Sequence, residues 1–204
     1  MKPVLEKDSD ADLLARYAAG DEEAFHKIVS RYKNSLYAFL RRFLTREDLV
    51  EDVFQETFLQ LFTSRDSFDV TRPLRPWLFT IAANKAKDAL RKQQRTAAIP
   101  IGTISEPSDE MSFDDVLNTL SSDSRVAYDD IEKNETATMV RELIGEMPEN
   151  LREILILAYF NKFSYKQMAQ ILGIPIGTVK SRLHTAVARF ARDWKILTGS
   201  RKIK

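Results

Sequence analysis

From Ser164 to Arg189 the chain reads SYKQMAQILGIPIGTVKSRLHTAVAR, a pattern that fits two helices joined by a tight turn. Ser164, three residues ahead of Gln167, makes a capping box, so a helix is expected to start there. Met168, Ala169, Ile171 and Leu172 give that helix an apolar face, with Ala169 small where a second helix must pass closely. Gly173 stands where the turn needs positive φ or very little bulk. Ile174 fills the gap between the helices, and Pro175 cannot continue the first one. Val179, Leu183, Val187, Phe190 and Trp194 then recur at steps of three or four, which gives the second helix one buried stripe. Its other face keeps Gly177, Lys180, Ser181, His184 and Ala188, flanked by Arg182, Arg189 and Arg192. Small and hydrogen-bonding groups at the start of such a helix suit base edges in a major groove, and the cations suit phosphates. A basic helical face alone is often just a solvated one. Here glycine, small residue, turn and stripe fall at compatible offsets, and they point to duplex DNA.

Outside this segment the chain is also helical in pattern. Proline and glycine are sparse, with 7 and 6 in 204 residues, and no run sustains period-two alternation, so the expected class is all-α. Hydrophobic residues make up 44% of the chain, enough for packed cores. There is no cysteine, which removes disulfides and thiolate metal sites and fits a reducing cytoplasm. The start, MKPVLEKDSDADLL, lacks the apolar run of a secretory signal. No segment approaches the roughly 18 to 20 uncharged apolar residues that span a membrane, so no insertion is expected.

A net charge of +1 hides a strong partition. Residues 178–204 carry eight cations against Asp193, a net of +7, whereas residues 96–138 carry ten acids against Arg125 and Lys133, a net of −8. The basic tail points to nucleic acid, and the acidic middle cannot bind phosphates. That middle is rich in Ser, Pro and Asp (IPIGTISEPSDEMS, then LSSDSR) and has no long helical period apart from a short candidate helix at 113–120. The expected organisation is therefore two helical domains, 8–95 and 138–198, joined by a flexible acidic linker, 96–137.

In the first domain, helices are expected from Asp12 to Ala19 and from Glu22 to about Phe43. Leu13, Leu14, Tyr17, Phe25, Ile28, Val29, Tyr32, Leu36, Phe39 and Leu40 face a core, and His26 lies at the surface. Thr45 and Asp48 read as a second capping box ahead of TREDLVEDVFQETFLQLF. Val50, Val53, Phe54, Thr57, Phe58 and Leu61 form the buried side of that helix, leaving Glu51, Asp52, Gln55, Glu56 and Gln60 as an acidic, hydrogen-bonding face. Periodicity alone makes this a solvated face. No histidine, cysteine or glycine-rich loop accompanies the acids, so neither catalysis nor a metal or cofactor is implied.

The next segment, SFDVTRPLRPWLFTIAANKAKDALRKQQR, reads as a loop stiffened by Pro73 and Pro76, then a helix beginning near Trp77. Leu78, Ile81, Ala82, Ala86, Ala89 and Leu90 can face inward, while Thr80, Asn84, Lys87 and Arg91 share a polar stripe. Residues 84–95 hold five cations against Asp88. Amides and cations behind an aromatic, proline-stiffened loop suit a nucleic-acid backbone plus an unstacked base; a basic helix end favoured by the dipole is the plainer reading.

Glu51–Asp52 with QETF, then RPWLFTIAANKAKDALRK, and finally GIPIGTVKSRLH resemble, in order and separation, conserved regions two and four of bacterial extracytoplasmic-function sigma factors. The likeness runs from about Asp10 to Trp194. It implies a non-enzymatic protein of the cytoplasm, without cofactor, that binds core RNA polymerase at the clamp of the largest subunit and at the flap. Such a protein recognises the minus-ten and minus-thirty-five promoter elements and assists melting. Residue by residue, the resemblance puts Glu51, Asp52, Gln55 and Glu56 on the clamp. It puts Ser67, Asp69, Arg72, Arg75 and Trp77 around a base flipped from the minus-ten element, and Asn84, Lys87, Arg91 and Lys92 along the neighbouring strand. Gly177, Thr178, Lys180, Ser181, Arg182, His184 and Arg189 fall on the minus-thirty-five element. The acidic linker would thread a polymerase channel later taken by RNA. Where the family often has arginine, this chain has Thr185 and Val187, which shifts phosphate contact towards Lys195, Arg201 and Lys202. An anti-sigma factor is a further partner the family allows, and the free protein is expected to be a monomer. A different reading is a stand-alone helix-turn-helix regulator that binds paired half-sites as a dimer.

Overall fold

The computed structural model describes residues 8–64, 69, 72–96 and 135–201. Among them the chain forms helices α1 (Asp10–Ala18), α2 (Glu22–Phe43), α3 (Glu47–Thr63), α4 (Leu74–Thr96), α5 (Glu135–Glu146), α6 (Glu149–Leu155), α7 (Tyr165–Leu172) and α8 (Ile176–Arg201). A π-helical turn, Ile156–Phe160, follows α6 directly. No strand occurs among the described residues. The candidate helix at 113–120 lies outside them, as do Ser67 and most of the linker.

Local chemistry accounts for most helix boundaries. Ser9 caps α1 with Asp12 in a reciprocal box, and Asp21 caps α2 by accepting from the Ala24 amide at 3.2 Å. The box at Ser164 is also present: Gln167 Oε1 accepts from the Ser164 amide at 2.9 Å, and Ser164 Oγ accepts from the Gln167 amide at 3.3 Å. Gly173 closes α7 in the left-handed region, at φ 65. The expected box at Thr45 does not form. Arg46 holds the N-cap of α3 without a side-chain cap, because the Asp48 carboxylate is taken by the Arg46 guanidinium (Nε to Oδ1, 3.0 Å), a charge-assisted bond.

In the first half, α1 packs on α2, α2 on α3, and α3 on α4. Leu13, Ile28, Leu36, Phe39, Phe43, Leu61, Leu78 and Phe79 are fully enclosed there. Tyr17 Oη donates to the Phe62 carbonyl at 3.1 Å, tying α1 to the end of α3. In the second half, α8 packs along α6 and α7, with Val179, Leu183, Ala186, Val187 and Phe190 buried against them.

The halves also pack against each other. α4 lies on α7, and α2 meets α5, α6 and the π-helical turn, so the buried side chains form one continuous apolar cluster. Phe79 of α4 meets Phe163 edge to face at 4.9 Å between centroids. Two domains on a tether, the arrangement expected from composition, omit this contact.

The turn at Gly173 sets the angle between α7 and α8, and its positive φ strains any residue with a Cβ although the space around it is open. Gly173→Ala should therefore lower unfolding free energy by about 1 kcal/mol, the cost of left-handed backbone. Gly177→Ala, in the open first turn of α8, should leave it unchanged or raise it slightly. Urea denaturation of the two variants checks this; no loss in Gly173→Ala would mean the turn tolerates a Cβ.

Candidate polymerase and nucleic-acid interfaces

Three faces come out of this packing. The first is on α3. Burial of Val50, Val53, Thr57, Phe58 and Leu61 against α2 and α4 forces Glu51, Asp52, Gln55 and Glu56 outwards, and all four are exposed. Thr57 is buried because its Oγ1 donates to the Val53 carbonyl at 2.6 Å within the helix. Gln55 reaches Glu51 at 3.4 Å, and Glu56 Oε2 takes Lys85 Nζ at 3.0 Å. The latter is a surface pair worth at most about 1 kcal/mol, so the row stays net acidic. A cleft of about 590 Å³ runs between α3 and α4 beside it, lined by Arg46, Asp52, Glu56, Lys85, Lys92 and Gln93 among others.

The second face is the mouth of the loop before α4. A cleft of about 550 Å³ is lined by Gln60, Asp69, Arg72, Trp77, Asn84 and Asp88 among others. Trp77 supplies an aromatic wall, Asn84 an amide, and Arg72 a cation held at 3.3 Å by Asp69. This is the chemistry that receives a planar, hydrogen-bonding base. The expected minus-ten residues do not all gather here. Lys92 lines the neighbouring cleft, and Arg91 pairs with Asp88 at 3.2 Å on the exposed side of α4.

Arg75 and Lys87 turn to the second half. Arg75 Nη2 donates to the Asn161 carbonyl at 2.6 Å, and its guanidinium lies 4.3 Å from the Phe163 ring centre. Lys87 Nζ stands 3.3 Å from Glu153 Oε1, a contact in which both side chains are largely withdrawn from water (18% and 4% exposed).

The third face is on α8. Gly177, Lys180, Ser181 and His184 are exposed at its N-terminal end, with Thr178 and Arg182 half-buried. Ser181 Oγ donates back to the Thr178 carbonyl at 3.2 Å, which holds that hydroxyl against the helix. Arg189 is half-buried and lies 3.5 Å from Asp193, which it shares with Arg192 at 2.9 Å. Lys195 is exposed beyond it.

With this geometry in view, the comparisons with known proteins agree with one another. Residues 28–96 match the family described as Sigma-70 region 2, and residues 137–190 match Sigma-70, region 4. The ECF RNA polymerase sigma-E factor of Haemophilus influenzae is 31% identical over 90% of this chain and 94% of its own length. The ECF RNA polymerase sigma factor SigW of Bacillus subtilis is 30% identical over 81% and 86%. The chain belongs to the extracytoplasmic-function sigma factors. It is thus an alternative sigma factor of transcription initiation, and the stand-alone dimeric regulator finds no support in these relatives. Two solved structures superpose on most of it. CnrH, in complex with the cytosolic domain of CnrY, has a TM-score of 0.66 at 25% identity, covering 92% of this chain and 97% of that one. The sigma factor RpoE of Bartonella quintana, in complex with the anti-sigma factor NepR, has a TM-score of 0.60 at 25% identity over 84% and 97%. Neither family match is to an enzyme. Among the described residues no helix is long and apolar enough to cross a membrane.

In this sigma factor the region 2 match falls on α2 from residue 28, α3 and α4, and the region 4 match runs from α5 to residue 190 of α8. The residues that join the regions (Arg152, Glu153, Phe160, Asn161 and Phe163) escape a reading of the sequence by motif. One signal for them exists in LREILILAYF: Glu153 is the one acid among apolar residues on a helix that must be buried.

Burial pushes the Glu153 carboxyl up to about 7, against the pull of Lys87 from α4 and Arg182 from α8; Glu149 on its own helix adds to the rise. An acid raised by folding stabilises the packed state fully below its unfolded value of 4.5 and loses that contribution as pH climbs through about 7. Glu153→Gln, which stays neutral, should therefore gain in thermal stability relative to wild type as pH rises from about 5 to about 8. Circular-dichroism melts across that range test this; a difference that does not move with pH would mean the carboxyl is ionised throughout.

Proposed function

We propose that this sigma factor uses its three faces for three separate contacts. The exposed acidic row Glu51, Asp52, Gln55 and Glu56 docks on the clamp of the largest polymerase subunit. The observation that carries this is that α3 buries Val50, Val53, Thr57, Phe58 and Leu61 in the core and leaves all four residues of the row exposed on its other side. The cleft at Trp77, Asn84, Asp69 and Arg72 takes a base flipped from the minus-ten element; Ser67, outside the described residues, joins them by the resemblance alone. Extruding that base costs a few kcal/mol, which stacking at roughly 1–3 kcal/mol per base largely offsets. Opening then needs no nucleotide hydrolysis, and the protein is not an enzyme.

Asn84, Lys87, Arg91 and Lys92 hold the neighbouring strand, and Arg75 belongs with the flipped base. Gly177, Thr178, Lys180, Ser181, Arg182 and His184 meet the minus-thirty-five duplex, with region 4 resting on the flap. Arg189 contributes least, since it is half-buried further along α8 and lies beside Asp193. We assign region 2 to residues 8–95, the linker to 96–137 and region 4 to 138–198, and place the protein in the cytoplasm as a monomer until it meets polymerase. The solved relative RpoE, seen with the anti-sigma factor NepR, supports an anti-sigma factor as a second partner.

Mixed with core RNA polymerase and passed over a sizing column, the wild-type chain should co-elute stoichiometrically, and an Asp52→Arg, Glu56→Arg double variant should elute alone. Asp52→Arg by itself, which leaves the Lys85 pair untouched, should give partial loss. Full co-elution of the double variant would place the polymerase contact off α3.

A further inference from the structure

The exposed face of α8 can be laid out from its buried side. Val179, Leu183, Ala186, Val187 and Phe190 are enclosed. With about 100° between successive side chains, the direction opposite them holds Gly177, Ser181, Thr185 and Ala188. Lys180 and His184 lie on one flank of that line and Arg182 on the other. Donors on both flanks suit the phosphates that border a groove, which leaves the middle of the helix for base edges. The middle offers two side chains that can hydrogen-bond, Ser181 and Thr185, and both are exposed.

The protons of these two hydroxyls are already engaged. Thr185 Oγ1 donates to the Ser181 carbonyl at 3.0 Å, and Ser181 Oγ donates to the Thr178 carbonyl at 3.2 Å. A hydroxyl has one proton and two acceptor positions. With the proton turned back onto the helix, the oxygen shows only acceptors to whatever approaches. Thr185 is the stiffer of the two, because branching at Cβ confines χ1 in a helix to few rotamers.

The consequence for a base is asymmetric. A base that presents a donor adds a bond and breaks none. A base that presents only acceptors is met by turning the proton outwards, which exchanges one bond for another. In the major groove the donors are the exocyclic amino groups of adenine and cytosine, whereas guanine shows acceptors and thymine an acceptor and a methyl.

We propose that Thr185 is a base-reading residue, with Ser181 one turn before it: their oxygens accept from the exocyclic amino groups of adenine or cytosine and set the factor's preference against guanine and thymine at those positions. This rests on the assignment of α8 to the minus-thirty-five duplex. Thr185 then acts on sequence preference, a role separate from the phosphate contacts of the flanking cations.

The test uses the full chain assembled with core RNA polymerase and a library of random-sequence duplexes. Wild-type holoenzyme should enrich an upstream element with adenine or cytosine at the position facing Thr185, and the selection itself tells which of the two is read. Arginine has five donors and no acceptor, so Thr185→Arg should move that one position to guanine and leave the rest of the element as it was. Thr185→Val keeps the branched shape without the oxygen and should lose about fivefold in discrimination there, the value of one net hydrogen bond. On the selected duplex, the amino group alone can be deleted by placing purine for adenine or 2-pyrimidinone for cytosine. That deletion should weaken wild-type binding by about the same factor and leave Thr185→Val unaffected; because it alters only the DNA, it holds even where a variant fails to fold. Wild-type selection of guanine or thymine at this position, an element that neither variant alters, or wild-type binding indifferent to the deletion would overturn the role of Thr185 while leaving α8 on the duplex. No upstream element enriched by wild-type holoenzyme would overturn the assignment of α8 and the proposal together.

Discussion

The guanidinium of Arg152 holds the ends of two helices at once. Its Nη2 donates to the Gly145 and Met147 carbonyls at 2.7 and 2.9 Å, at the close of α5, and its Nη1 donates to the Phe43 carbonyl at 2.8 Å, at the close of α2. The last carbonyls of a helix have no intrahelical partner and carry its negative end. One planar cation with several donors satisfies both ends, and it does so across the boundary between region 2 and region 4. Burial lowers its affinity for its proton without bringing it near neutrality, because arginine stays charged under any ordinary condition. The position of α6, and of everything that follows it, depends on that grip.

From there the geometry propagates along the chain. With Arg152 fixed, the next residue, Glu153, points to α4, and the π-helical turn that follows swings Phe160, Asn161 and Phe163 onto α2 and α4. An ideal α-helix through these residues would place side chains 100° apart and put the aromatic pair elsewhere. The extra residue per turn, followed by left-handed Lys162, turns the chain out of the helix and into the capped start of α7. The helix-turn-helix is thus hung from region 2 by its first helix, and α8 is left with its N-terminal face towards solvent.

Much of the fold is local and could be read from sequence. The span Glu22–Phe43 of α2, the box at Ser164 and Gln167, the left-handed Gly173 and the apolar stripe of α8 each depend on residues within about one or two helical turns of one another. The same locality misleads at Thr45, where the box pattern is present but Arg46, one residue on, competes for Asp48 with a full charge. The join between the regions could not be read at all. Arg152 and Phe43 are separated by 109 residues, and Arg75 and Asn161 by 86, with a composition-biased acidic stretch between them that gives every appearance of independence. Both contacts end on backbone carbonyls, which carry no motif. In the candidate site the same division holds: the spacing on α3 predicts the acidic row, whereas the turning of Arg75 and Lys87 away from Asn84 depends on a partner surface that the helix period does not contain.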